Sequence, residues 1–188
     1  MNDAEPKSTK HIRRPSEHYG YLCEIDPDTR ELFKHTSLGR MAHENVAFTL
    51  SKDGRLVAYT ADDRVEQCLY KFVSRDRYNH AAGKANRKLL EHGTLYVADT
   101  KRGRWLALDP ERNRKLRREE FDAARVCVNT RTAAKLVGGT PQARPEDVEV
   151  HPVTGEVYVA LTSWQATGID KTNEDYFPDI AGALGRLR

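Results

Sequence analysis

Short runs of alternating apolar and polar residues fill the chain from Tyr19 onward, and turn-forming residues separate them. Such alternation over four to eight residues is typical of half-buried strands. Asp53-Gly54 between two of the runs is a strong hairpin signal. The pattern predicts strands at 19–25, 32–35, 45–50, 56–60, 69–73, 94–98, 105–108, 148–150, 157–161 and 184–187.

Two stretches break this pattern and predict helical insertions. Residues 75–93 are polar, with a few turns of helix interrupted at Gly83. Residues 119–137 are predicted to be helical, because Gly138-Gly139 supplies a natural C-terminal stop. Residues 1–17 are charged and non-periodic, and we expect them to form a loop or disordered leader.

Three of the predicted strands share a similar sequence pattern, which suggests a structural repeat. They are LVAYTADD at 56–63, LYVADT at 95–100 and VYVALTS at 157–163. Many short strands with few helices point to a sandwich, a barrel or a propeller. The first spacing suits a propeller blade, and the helical insertion would lengthen the second.

Composition narrows the class of protein only slightly. The 188 residues are 38% hydrophobic and 31% charged, with a net charge of +3. This mild basicity does not require a nucleic-acid partner, since 28 acidic residues offset 31 basic ones. We interpret the cluster RNRKLRR at 112–118 as a solvated loop; the alternative is an anionic-surface or nucleic-acid binder with salt-dependent affinity.

The cysteines and histidines suggest no metal site of their own. Cys23, Cys68 and Cys127 form no CxxC pair, which disfavours a disulfide framework or structural zinc, and Cys23 and Cys127 are expected beside strands. The histidines other than His43 show no ligand-like spacing and are interpreted as surface or turn residues. No apolar run is long enough for a membrane span, and the first thirty residues lack an apolar signal core.

Acidic groups stand at the ends of three predicted strands. They are His43-Glu44-Asn45, Asp62-Asp63 and Arg144-Pro145-Glu146-Asp147. Carboxylates at such positions suit a hard cation, and a neighbouring guanidinium suits phosphoryl oxygens. The alternative for each is a common structural motif: a strand end, a solvated turn and a surface ion pair.

Other hydrolytic chemistries have no motif in this chain. It contains no Gly-rich phosphate loop, no GxSxG elbow and no HExxH pair. Attack by a protein side chain is therefore not supported, whereas cations that neutralise phosphate charge remain a candidate.

Four long runs resemble one known family. They are GRMAHENVAF (39–48), YTADDRVEQCLYKFVS (59–74), GTLYVADT (93–100) and NTRTAAKLVGGTPQARPEDVEVHPVTGEVYVALTS (129–163). In their order and in their amino-acid sequence they are similar to the PhoX alkaline phosphatases, across about residues 18–163. The resemblance implies an all-β fold that is part of a six-bladed β-propeller with short helical insertions.

The resemblance also implies an activity, cofactors and site residues. PhoX enzymes hydrolyse phosphate monoesters with calcium and iron, and they are periplasmic or secreted. By this similarity Glu44, Asp63 and Glu146, together with Asp62, are predicted metal ligands. Arg144 is the predicted catalytic group, gripping the phosphate. A small phosphate ester is the expected partner, with no nucleic acid.

Differences from the family lead to an alternative function. Ala61 stands where many members have glycine, and Thr162-Ser163-Trp164 replaces Thr-Asn-Asn. PhoX enzymes are also much longer, so residues 18–188 are expected to form a partial propeller whose missing blades come from elsewhere or from self-association. The alternative is a catalytically silent segment that binds calcium or a partner.

Overall fold

The computed structural model describes residues 14–162 and the backbone of 184–187. The strands are β1 (Leu22–Ile25), β2 (Leu32–His35), β3 (His43–Leu50), β4 (Arg55–Asp62), β5 (Val65–Gln67), β6 (Leu69–Arg77), β7 (Gly93–Asp99), β8 (Arg104–Ala107), β9 (Gln142–Ala143), β10 (Pro145–Val150), β11 (Val157–Leu161) and β12 (Leu184–Leu187). The α-helices are α1 (Arg114–Arg118), α2 (Ala123–Val128) and α3 (Thr130–Val137), and 3₁₀ segments occupy Ser16–His18, Thr36–Leu38 and His80–Leu90. The predicted all-β fold with short helical insertions is confirmed.

Two antiparallel sheets form the body of the described structure. One has five strands in the order β3-β4-β6-β7-β8, and the other has three in the order β10-β11-β12. The Asp53-Gly54 hairpin forms as predicted, because Leu50 pairs with Leu56 across it. Two smaller ladders, β1-β2 and β5-β9, flank these sheets. β5 and β9 are two or three residues long and leave no alternation to read in the sequence.

The helices cover one face of the five-stranded sheet. The buried side of α3 follows the helical period, with Thr130, Ala133, Ala134 and Val137 all inside. Ala133, Ala134 and Val137 share a hydrophobic core with Tyr70, Phe72, Leu95, Val97, Leu116, Phe121 and Val126. Each large side chain buried there contributes about 1.5–3 kcal/mol, so the insertion is an integral part of the fold.

The opposite face of the same sheet packs against the second sheet. Three alanines and one leucine of the first sheet meet branched residues of the second. The buried set is Ala47, Ala61, Leu69, Ala98, Val148, Val157, Val159 and Leu161. Alternate strand residues point to opposite faces, so one sheet contributes to both cores. This packing brings the first residues of β3 and β10 close to each other.

The helical insertion differs in two respects from its prediction. Residues 119–137 form two helices, α2 and α3, with Asn129 between them in a non-helical conformation. The cluster at 112–118 is not a plain loop, because Arg114–Arg118 form α1, anchored by the buried Leu116. The predicted stop is confirmed, since Gly138 adopts a left-handed conformation with φ 101°.

His35 is wrongly predicted as a surface residue. Its side chain is buried, and Nε2 lies 3.0 Å from Oε2 of Glu24. The cause is an ion-pair network in which Arg87, from the 3₁₀ segment, contacts Glu24 and the buried Asp26. The network ties the β1-β2 hairpin to the segment interrupted at Gly83, whose kink matches the prediction.

The three cysteines are free and differ in environment. Cys23 is exposed, Cys68 is buried, and Cys127 is intermediate. Cys127 lies in helix α2, so its predicted position beside a strand is wrong. In the described part of the chain, no helix is long and apolar enough to cross a membrane.

Lys71, beside the core between the two sheets, is expected to make the free energy of unfolding depend on pH. Its ammonium lies 4.6 Å from the Trp105 ring centroid and 5.3 Å from that of Tyr96. Burial lowers the pKa of Lys71 to about 8. The unfolded chain thus binds more protons between pH 8 and the usual lysine pKa, so the free energy of unfolding should rise with pH across that window. The charged form should cost about 1 kcal/mol after allowance for solvent screening.

Replacing Lys71 by methionine isolates this effect. Lys71→Met should be more stable than the wild-type chain at pH 7, and the difference should shrink as the pH rises from about 8 to the usual lysine pKa, because Lys71 of the folded wild-type chain is then neutral. Urea unfolding of both proteins at pH 7.5 and 9.5 measures it. Parallel pH profiles for the two proteins would contradict the buried-ammonium explanation.

Candidate functional site

Glu44 lies in an irregularity of the ladder between β3 and β4. His43 pairs with Asp62 and Val46 pairs with Thr60, so Glu44 and Asn45 stand opposite one residue. Such a bulge bends the strand and redirects its side chains, and bulges are frequent beside functional sites. The carboxylate of Glu44 therefore has a direction that regular alternation would not give it.

Of the predicted triplet His43-Glu44-Asn45, only the glutamate is left for a ligand. Both ring nitrogens of His43 are engaged, Nδ1 at 2.9 Å from the Thr60 hydroxyl and Nε2 at 3.0 Å from the Gly39 carbonyl oxygen. Burial lowers the pKa of His43 and favours the neutral ring. Asn45 joins the two sheets, since its amide donates to the Val148 carbonyl and accepts from the Val148 N–H, both at 2.9 Å.

Asp62 and Asp63 have different partners, as expected for neighbours at the end of a strand. Asp62 is fully buried, and its two carboxylate oxygens each lie 2.7 Å from a nitrogen of Arg131. Asp63 points instead to Arg144, with Oδ2 2.8 Å from Nη2. The other oxygen of Asp63, Oδ1, is buried and has no hydrogen-bond partner among the described residues.

Arg144 brings two of the predicted ligands to one point. Its Nη2 atom donates both to Asp63 Oδ2 at 2.8 Å and to Glu146 Oε1 at 3.0 Å. The backbone of Arg144 has a φ of 51°, a left-handed conformation that costs a non-glycine residue about 1–2 kcal/mol. Pro145 follows, buried and paired with Leu161, and it fixes the direction in which Glu146 leaves the turn.

The charges of these groups are coupled. Glu44 is exposed, but partial desolvation by its neighbours raises its pKa, and the carboxylates of Asp63 and Glu146 raise it further. Conversely, Asp63 raises the pKa of Arg144, with a smaller contribution from Glu146. Glu44, Asp63 and Glu146 therefore form one acidic cluster, and a single guanidinium balances part of its charge.

The acidic cluster fits a hard cation in chemistry but not yet in arrangement. Three carboxylates, one with an unpartnered buried oxygen, are the donors that calcium prefers. Within residues 14–162, however, no group of three or more His, Cys, Asp or Glu side chains is arranged to hold a metal ion as it stands. The Arg144 guanidinium, in contact with two of the acids, takes the place of a positive charge between them.

Two residues that contact the predicted site residues were not predicted to do so, although Thr162 was named as part of a difference from the family. Thr162 donates from its hydroxyl to Glu146 Oε1 at 2.8 Å, and Arg131 holds Asp62 from helix α3. Thr162 could be found only as the residue that follows strand β11. Nothing local marks Arg131, because it lies 69 positions from its partner. Asp147 is exposed, and Ser163 and Trp164 lie outside the described residues.

Comparison with known proteins places these residues in a family. The sequence model for alkaline phosphatase PhoX matches residues 6–182. Among solved structures, the chain is similar to Pseudomonas fluorescens PhoX in complex with vanadate, a transition state analogue, with a TM-score of 0.70 and 41% identity. The match covers 78% of this chain and 28% of that chain. None of the curated proteins matches.

The family match extends over nearly the whole chain, and it includes every residue of the acidic cluster. The fold agrees as well, since the similar PhoX structure is a β-propeller and the antiparallel sheets here correspond to part of one. The predicted resemblance is thereby confirmed: this chain belongs to the alkaline phosphatase PhoX family.

Proposed function

We propose that this chain carries part of the site of a calcium-dependent phosphatase that hydrolyses phosphate monoesters. The observation that supports this most directly is the convergence of Asp63 and Glu146 on one nitrogen of Arg144; the same two carboxylates raise the pKa of Glu44. Family membership supports the reaction, and the Pseudomonas fluorescens PhoX was solved with vanadate, a transition state analogue. In this proposal residues 18–188 form a partial propeller domain and residues 1–17 a leader.

Calcium would be held by Glu44, Asp63 and Glu146. When bound, it supplies positive charge that neutralises phosphate and stabilises the charge of the transferring phosphoryl group. Asp63 contributes the buried Oδ1, which has no other partner in the described structure. Thr162 orients Glu146 through its hydroxyl, so that the other carboxylate oxygen is left for a ligand.

Arg144 would bind the phosphate oxygens of the ester. A guanidinium can donate two parallel hydrogen bonds to a phosphate, which positions the phosphorus as well as balancing charge. Its left-handed backbone conformation is the kind of local strain that clusters at functional sites. The Arg144 guanidinium also contacts Asp63 and Glu146, so the same side chain balances part of the charge of the acidic cluster.

Asp62 and iron remain predictions from the family resemblance. A cation on Asp62 would have to displace the bidentate contact with Arg131. None of the cysteines stands in the sequence context that the resemblance assigns to an iron ligand. Burial raises the pKa of the Cys68 thiol to about 12, so a metal would have to displace its proton on binding.

A second function is calcium binding without turnover. The observation in its favour is that the chain spans 28% of the Pseudomonas fluorescens chain. Further groups of that enzyme need not have counterparts here, and an acidic cluster can bind calcium on its own. The missing blades would then come from another chain or from a second copy of this one.

Thermal unfolding with calcium tests the site. Calcium at 100 times its dissociation constant should stabilise the wild-type chain by about 2.7 kcal/mol, which raises the Tm by about 5–10 °C. Glu146→Gln should lose most of this shift, because it removes one carboxylate ligand. Glu149→Gln, the same change at an exposed position three residues further along β10, is the matched control and should keep the shift.

Hydrolysis of p-nitrophenyl phosphate separates the two functions. Calcium-dependent turnover that Glu146→Gln abolishes supports the phosphatase. A calcium-induced shift of the Tm without turnover supports the calcium-binding segment. An absent shift, or one equally large in Glu146→Gln, contradicts both proposals.

A further inference from the structure

We propose that Arg131, from helix α3, is a positioning residue that orients the acidic cluster through Asp62. The inference rests on the proposed function of Glu44 and Asp63 as calcium ligands. Arg131 donates from Nε and Nη2 to the two oxygens of Asp62, at 2.7 Å each. Asp62 is 0% exposed, so the pair is a short bidentate contact with one member wholly inside the protein.

Asp62 connects this ion pair to the backbone that carries the cluster. Its Oδ1, besides contacting Arg131, accepts a hydrogen bond from the Ala42 N–H at 3.0 Å. The carbonyl of Ala42 in turn accepts from the Asp63 N–H, also at 3.0 Å. Ala42 lies two residues before Glu44. One buried carboxylate thus links the strand segment of Glu44 with that of Asp63.

The bulge makes the contact between Asp62 and Ala42 important for the direction of the Glu44 side chain. The irregularity lies between His43 and Val46, so the ladder itself does not fix the register of Glu44. Asp62 pairs with His43 immediately before the irregularity, and its contact with Ala42 holds that end. If Asp62 could turn, the bulge could shift, and the carboxylate of Glu44 would move relative to Asp63.

Loss of Arg131 would release Asp62. A buried carboxylate without its counter-ion is strongly unfavourable, so Asp62 turns toward water. This movement weakens its contact with the Ala42 N–H. Groups that orient metal ligands typically change metal affinity by about 10–100-fold when removed, and we expect Arg131 to belong in this range.

Arg131→Met should therefore weaken calcium binding at least about tenfold, measured by isothermal titration. The matched control is Arg104→Met, which removes an arginine 2.9 Å from Asp99, another aspartate buried at the end of a strand. That variant should keep the wild-type calcium affinity. Arg131→Lys, which keeps the charge but not the bidentate contact, should give an intermediate affinity if Arg131→Met does not fold.

Amide hydrogen exchange without calcium tests the link independently of metal binding. In Arg131→Met, exchange of the Ala42 and Asp63 amides should accelerate at least about tenfold beyond the change in amides of β7. Arg104→Met should not show this local effect. If the wild-type chain binds no calcium, the proposed function fails, and the exchange result alone decides the inference. Unchanged calcium affinity in Arg131→Met, or equal local exchange in both variants, overturns it.

Discussion

Replacing Gly39 by alanine should cost about 3–5 kcal/mol of stability, a large part of what a domain of this size has. Gly39 has a φ of 85° and a ψ of 161°, a region that is nearly closed to residues with a Cβ atom. An added Cβ would lie 2.6 Å from Thr130 Oγ1 and 3.0 Å from Leu95 Cδ2. Thr130 cannot yield, because its hydroxyl is buried and bonded to the Val126 carbonyl.

Gly54→Ala is the matched control for this effect. Gly54 has a φ of 82°, close to that of Gly39, but an added Cβ there would meet nothing within 4 Å. The Gly54→Ala variant should lose only about 1–2 kcal/mol of stability, which is the cost of the left-handed backbone conformation. Urea unfolding of the two variants and the wild type gives the difference. Equal losses would show that the contact with Thr130 is not under strain.

Replacing Asn45 by leucine should cost about 2–4 kcal/mol, because it strips a hydrogen-bond partner from both backbone groups of Val148. Val148 is 0% exposed, so water cannot replace the lost amide. The leucine keeps a similar volume, which separates the hydrogen bonds from packing. We expect a lower urea midpoint with the same slope, unless the two sheets begin to unfold separately.

Asn86→Leu is the control for the side-chain amide. Asn86 also donates to backbone carbonyls, those of Asn79 and Gly83, but these groups are exposed and water can take its place. Its loss should stay within about 1 kcal/mol. A comparable loss in both variants would contradict a special role for Asn45 in joining the sheets.

The strands could be predicted because alternation and turn residues are local signals. The runs at 32–35 and 157–161 agree with β2 and β11, and Gly138 ends α3 where expected. Helix α1 was missed because its five residues hold one buried apolar side chain, Leu116, too few to show a period. His35 was misplaced because its burial depends on Glu24 and a distant arginine.

The candidate site could be predicted only in part, because several of its contacts join residues that are distant in the sequence. The family motif brings Glu44, Asp63, Glu146 and Arg144 together, and the structure has the last three in direct contact. The sequence could not show that Asn45 would bridge two sheets, since Val148 lies 103 positions away. Nor could it show that Asp62 meets Arg131 whereas Asp63 meets Arg144, because only the fold decides which arginine each neighbour contacts.

The ion pair of Asp62 and Arg131 constrains how the sequence can vary over time. The charge of Asp62 is not tolerable alone in the interior, so the loss of Arg131 creates pressure for a change at Asp62. The two positions are 69 residues apart, yet they are expected to change together during evolution, as one unit. Exchanging the helical insertion between related proteins would divide this unit, and a graft that keeps Asp62 has to bring its arginine with it.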